Sequence, residues 1–196
     1  MTYPKFPSIP RLNKPVTITE KIDGTNGQVY IKQLGEDTEL MPKPIDITGD
    51  ELGVWAGSRN RWLSVEADNF GFAAWVDRHL ATLAETLGEG QHFGEWWGPG
   101  IQRGYGLAER RFSLFNTSRW EDLETTDYGL SVVPVLGTYG GNRLNDAVDL
   151  SMDNLHISGS VASPGFMRPE GVVVFHTAAN QPFKATFESD GGKWTA

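Results

Sequence analysis

The sequence predicts an α+β fold, with antiparallel sheets flanked by a few helices. Two observations carry this. Short runs of β-branched and aromatic residues recur between clusters of Gly, Pro, Asn and Asp, the pattern of strands and turns. Only two stretches place apolar residues at helical spacing. With 39% hydrophobic and 11% aromatic residues the chain can bury a core, which excludes a disordered protein. Its 196 residues read as a single domain, 1–196.

The elements follow in order. Residues 16–20 and 27–32 predict two strands joined by a turn in which Gly24, Thr25 and Asn26 supply the backbone angles. Residues 52–58, LGVWAGS, predict a third strand. From Val65 to Leu87, apolar residues such as Phe70, Val76, Leu80 and Leu83 recur at helical spacing, and Gly88 follows as a stop. QHFGEWW, RFSLFN and LSVVPVLGTY predict one strand each, and NRLNDAVDLSMDNLH predicts a helix. EGVVVFH and QPFKATFE predict two strands joined through TAANQ.

Composition excludes several function classes. The chain has no cysteine, so it has neither a disulfide framework nor a thiolate metal site. That suits a reducing compartment, and a cytoplasmic location is expected. The opening MTYPKFPSIPRLNKP lacks the apolar core of a signal peptide, and no apolar run is long enough to span a bilayer. The four histidines lack metal-ligand spacing, and there is no G-x-x-x-x-G-K-[ST] phosphate loop. A net charge of −8 argues against a broadly basic nucleic-acid surface. A local basic groove stays open, since Arg59 and Arg61 lie close together, as do Arg103, Arg110, Arg111 and Arg119.

One lysine needs an explanation. Lys21 lies in EKIDGTNG, where a turn has no use for it. Read alone, it is a solvated residue at a strand end. Read as a nucleophile, it must lose its proton, which an adjacent anion opposes. Strand alternation would aim Asp23 to the same face as Lys21. A divalent cation held by Asp23 resolves the conflict, because it favours the neutral amine and neutralises phosphate charge.

Lys21-Ile22-Asp23-Gly24-Thr25-Asn26 resembles motif I, K-x-(D/H)-G-x-N, of the covalent nucleotidyltransferases, which include DNA ligases, RNA ligases and capping enzymes. Further segments follow in the family's order. GSRNRW resembles motif Ia, HFGEWWGPGIQ motif III, RRFSLFN motif IIIa, EGVVVF motif IV and PFKATFE motif V. The G-E-x-x-G-P-G-x-Q pattern is similar to ATP-dependent RNA ligases of the second phage type.

The resemblance implies a ligase-type adenylation domain without an OB-fold domain. Lys21 would attack ATP to form a lysyl-AMP, and the AMP would pass to a 5'-phosphate end before a 3'-hydroxyl seals the strand. Lys184 would neutralise phosphate. Glu95 would bind the ribose and Phe115 would stack on adenine, while Glu20 through its backbone, Asn26 and Arg59 complete the nucleotide set. Asp23 and Glu170 would manage Mg2+ or Mn2+.

The chain departs from the pattern in two places. Relatives often have His where Asp23 stands, which keeps a minimal DNA ligase open as an alternative. Many relatives carry K-x-K in motif V, where this chain has Lys184-Ala185-Thr186, which keeps a non-catalytic binding module open. Lys193 is a further cation nearby in sequence. Only twelve residues follow Lys184, room for neither the OB-fold nor the helical domain of the relatives. Nucleic-acid ends, RNA ahead of DNA, are the expected substrate, with a protein partner supplying the function of the missing domain.

Overall fold

The computed structural model describes residues 3–4, 6, 8–34, 46–47 and 52–188. Lys193 and most of the acidic stretch LGEDTEL lie outside the described residues. The chain forms two compact units. The first comprises residues 1–22 and 134–196, and the second comprises 23–133.

In the first unit, β1 (Val16–Lys21), β9 (Val135–Tyr139), β10 (Gly171–His176) and β11 (Gln181–Thr186) form an antiparallel sheet in the order β11-β10-β1-β9. A 3-10 turn, Gly141–Arg143, leads into α3 (Leu144–Ser158). Val16, Ile18, Val172 and Val174 present one face of the sheet, and Ala147, Met152 and Leu155 of α3 pack against it. These apolar residues alternate along β1 and β10 with less buried ones, so the period-two pattern of the sequence puts a dry face toward α3.

The second unit holds β2 (Thr25–Gln33), β3 (Asp46–Ile47), β4 (Leu52–Ser58), β5 (Trp62–Leu63), β6 (Gly90–Trp97), β7 (Arg111–Leu114) and β8 (Leu130–Val132). The order is β3-β4-β2-β6-β7-β8, with β5 paired to β4. All pairs are antiparallel except β7 with β8, which is parallel. Two helices, α1 (Phe72–Arg78) and α2 (Leu80–Leu87), belong to the same unit. The core gathers Val29, Val54, Leu83 and Leu114 around an aromatic cluster in which Phe72 lies 5.0 Å from Phe112 and 5.4 Å from Trp96. No helix among the described residues is long and apolar enough to cross a membrane.

Three elements differ from expectation, each for a local reason. The strands around Lys21 are no hairpin, since β1 and β2 lie in different sheets and Thr25 and Asn26 are already within β2. The predicted helix over 65–87 starts late, because Phe70 and Gly71 adopt left-handed angles of φ 50 and 71. Asp68 then takes up the first donors of α1, accepting from Ala73 N at 2.7 Å and Ala74 N at 3.0 Å. A break at His79 splits the rest in two. LSVVPVLGTY becomes two strands in different sheets, separated at Val133-Pro134, where proline offers no N–H to a ladder.

Candidate functional site

The candidate residues fall into two sets, one in each unit. In the first unit, Lys21 ends β1 and Glu170 stands immediately before β10. The antiparallel register sets Lys21 opposite Gly171, and this brings Lys21 Nζ to 2.7 Å from Glu170 Oε2. Residues 149 positions apart in the chain thus form one ion pair. Gly171 lets β11 approach β10 in this same row. A Cβ there would overlap the carbonyl oxygen of Ala185 and lie 2.8 Å from Thr186 Cα.

Lys184 lies on β11 opposite Val173, which is itself opposite Thr19 of β1. Directly opposed residues share a sheet face, so Lys184, Thr186, Thr19 and Lys21 all point to the face away from α3. Thr186 occupies the row of Lys21 and Gly171, and its hydroxyl donates to Glu188 O at 2.8 Å. A separate cavity of about 760 Å3 is lined by Leu12, Leu144, Val148, Phe183 and Ala185, with Lys184 at its wall. Neither Lys21 nor Glu170 lines it, so it is distinct from the ion pair.

Glu20 points the other way, into the core face. Its Oε2 accepts from Val161 N and Ala162 N, each at 2.8 Å, while Oε1 is buried without a partner among the described residues. Burial pushes its pKa above the ordinary 4.5, against the opposing effect of hydrogen bonds from Ser160, Ala162 and Val161. A raised carboxyl pKa means that the folded state favours the proton. The penalty of the buried charge is therefore absent below pH 4.5, grows as pH rises through the folded value, and is full above it. Glu20→Gln keeps an acceptor for the two amides and removes the charge. Thermal melts across pH are expected to show the variant gaining on the parent from acid to neutral pH, with the gap closing on acidification.

In the second unit, Asn26 of β2 stands opposite Glu95 of β6, which stands opposite Ser113 of β7. Glu95 is 9% exposed and gathers the set. Its Oε1 accepts from Gly24 N at 3.1 Å and its Oε2 from Asn26 Nδ2 at 3.2 Å. Asn26 Oδ1 in turn accepts from Arg59 Nε at 2.6 Å. Gly24 is a matter of approach rather than turn angles, since a Cβ there would lie 2.5 Å from Trp96 O and 3.0 Å from Glu95 Cγ. Phe115 is 43% exposed and its N–H donates to Phe93 O, so it continues the register past β7 beside Phe93. By alternation both rings share the face of Glu95 and Asn26. Phe112 is instead fully buried, as are Trp96 and Trp97.

Asp23 lies in the connection after β1, so strand alternation does not set its direction. Its Oδ2 accepts from Arg103 Nε at 2.9 Å, and its N–H donates to the hydroxyl of Tyr105 at 2.9 Å. Sequence reasoning missed Arg103 and Tyr105 in this role, because nothing in their spacing marks a partner 80 residues away. It quoted Phe93 within motif III but gave it no role at the site, although two residues before Glu95 on a strand is the same face.

The family described as RNA ligase matches residues 14–186 of the chain. No curated protein matches it. Among solved structures, a lysine-to-alanine variant of the Naegleria gruberi RNA ligase with ATP and Mn is similar at TM-score 0.58 and 18% identity, over 89% of this chain and 49% of that one. The same protein with PPi matches at 0.58 and 18%, over 89% and 50%. A glutamate-to-alanine variant with AMP and Mn matches at 0.57 and 17%, over 89% and 50%. The chain thus spans about half the length of these structures, and the likeness establishes the fold.

Proposed function

The chain belongs to the RNA ligase family, and from that membership we propose that it is the adenylate-transfer domain of an ATP-dependent polynucleotide ligase acting on RNA ends. The observation that carries this reading is the ion pair between Lys21 and Glu170, which joins the lysine of the first motif to the acid of the fourth at 2.7 Å.

Lys21 Nζ, once its proton has left, attacks the α-phosphorus of ATP. A P–N bond forms, the bond to the bridging oxygen breaks, and pyrophosphate departs with the electron pair. The AMP then passes from Lys21 to a 5'-phosphate, and a 3'-hydroxyl displaces it to seal the strand. There is little covalent work beyond this for the protein, so positioning and charge neutralisation dominate. Lys184 neutralises phosphate from the sheet face it shares with Lys21. Glu95 accepts from ribose hydroxyls, with Asn26 and Arg59 fixing its orientation. Phe115 stacks on adenine, and Phe93 widens the aromatic surface. Glu20 holds the end of β1 by its backbone and carboxylate.

The oxygen chemistry of Asp23 and Glu170, one residue from each unit, suits a hard, water-rich cation. Asp23 and Glu170 offer carboxylate oxygens, each already shielded by a basic side chain. Among the described residues no three His, Cys, Asp or Glu side chains gather into a closed cage. Mg2+ and Mn2+ are suited to such a setting, held by one or two carboxylates together with substrate phosphates and water. Asp23 and Glu170 would hold the ion through its waters, and when bound it supplies neutralisation of phosphate charge. The solved relatives with ATP and Mn or AMP and Mn support the pairing of nucleotide and metal. With a net charge of −8, capture of the polynucleotide draws on a protein partner or a further module.

The test is direct. Incubation with ATP and Mg2+ is expected to add one AMP by intact mass, and Lys21→Ala is expected to abolish it. No adduct with any nucleotide would reject the enzyme reading. Nicked duplexes with RNA or DNA on either side then separate an RNA ligase from a DNA ligase.

A further inference from the structure

We infer that Arg103 and the divalent cation compete for the carboxylate of Asp23, so that Arg103 is a latch on the first motif which the metal opens. This rests on the metal role proposed above for Asp23. Two contacts from one loop converge on this residue: Arg103 holds the carboxylate from Nε at 2.9 Å, and Tyr105 holds the backbone N–H at 2.9 Å.

The loop is built for rigidity. Tyr105 is 1% exposed and packs edge-on against Trp97 at 5.0 Å, and Ile101 is fully buried. Gln102 and Tyr105 both adopt left-handed angles, φ 43 and 53, which non-glycine residues rarely do. Such a residue persists only where its surroundings over-determine it. Tyr105 therefore fixes where residue 23 sits, while Arg103 decides what its carboxylate meets.

The two anchors differ in how easily they yield. Tyr105 binds a backbone N–H from a buried position, and no cation competes for a donor. Arg103 binds a carboxylate across a pair whose side chains are 19% and 25% exposed, so solvent and salt weaken it. A doubly charged ion brought close to Asp23 attracts the carboxylate and repels the guanidinium at once. The carboxylate is thus aimed before the metal arrives, at the cost of some metal affinity. Arg103 is a positioning residue in this scheme.

Mn2+ affinity reads the latch without turnover. The full chain is titrated with Mn2+ in the presence of AMP, with free Mn2+ followed by electron paramagnetic resonance. Arg103→Gln is expected to bind Mn2+ several-fold more tightly than the parent, and Asp23→Asn more weakly. The double variant is expected to match Asp23→Asn alone. Arg103→Lys, which keeps a cation on the loop but loses the planar fork, is expected to fall between the parent and Arg103→Gln, and it stands in should the glutamine variant fail to fold. Mn2+ binding unchanged or weakened in the folded Arg103 variants would overturn the latch. Absence of Mn2+ binding in the parent would overturn the metal role of Asp23 and the latch with it. Formation of the AMP adduct in the parent reports separately on the enzyme reading.

Discussion

Gly171→Ala is expected to cost the first unit about 3 kcal/mol or more, enough to unfold it at moderate temperature. The position combines two constraints. Its φ is 149°, a conformation that side-chain-bearing residues resist, and a Cβ would overlap Ala185 O on the neighbouring strand. Backbone cannot step aside as a side-chain tip can, because Ala185 is locked in the ladder between β10 and β11. Denaturant melts should show a lower midpoint with little change in slope. The damage should extend to Lys21, which stands directly opposite Gly171. Parent-like stability would mean that β11 can separate from β10 at this point without penalty.

Glu170→Gln is expected to reduce the rate of AMP attachment by about 100-fold while changing stability by less than about 1 kcal/mol. The split follows from exposure. The side chains of Lys21 and Glu170 are 24% and 17% exposed, so the pair is screened and contributes little to folding. Its place is nevertheless on the atom proposed to react. The amide keeps the shape of Glu170 and one acceptor, but loses the charge that orients Lys21 and would hold the waters of a metal. Rapid-quench measurement of adduct formation at saturating ATP checks the rate, and thermal melts check the fold. A faster reaction in the variant would make Glu170 only a restraint on the ammonium.

What could be read in the sequence follows from physical range. Strands β1, β6, β10 and β11 were legible because alternation and β-branched runs are local signals. Which strands pair was not, because period two gives a face but not a partner, and the ends of KIDGTN enter different sheets. The helix over 65–87 was overdrawn because apolar spacing cannot show that Phe70 and Gly71 turn left-handed. Lys21, Glu95 and Glu170 stood out as candidates through their motifs, but the partner of each is a tertiary fact. Asp23 illustrates this most clearly. Its chemistry suggested a metal, whereas Arg103, which follows the G-P-G-x-Q segment directly, reaches it by a contact that the motif does not announce.

The second unit is one uninterrupted stretch of chain, Asp23–Val133, which interrupts the sequence of the first. It departs after Lys21 and Ile22 and returns at Pro134, and Glu20 N–H donates to Pro134 O at 2.9 Å. The two points of departure and return are therefore stapled side by side by the scaffold itself. In architectural terms the chain is a host with a guest. Every strand pairing of the host's sheet is made within the host, so a change of length in the guest removes none of them.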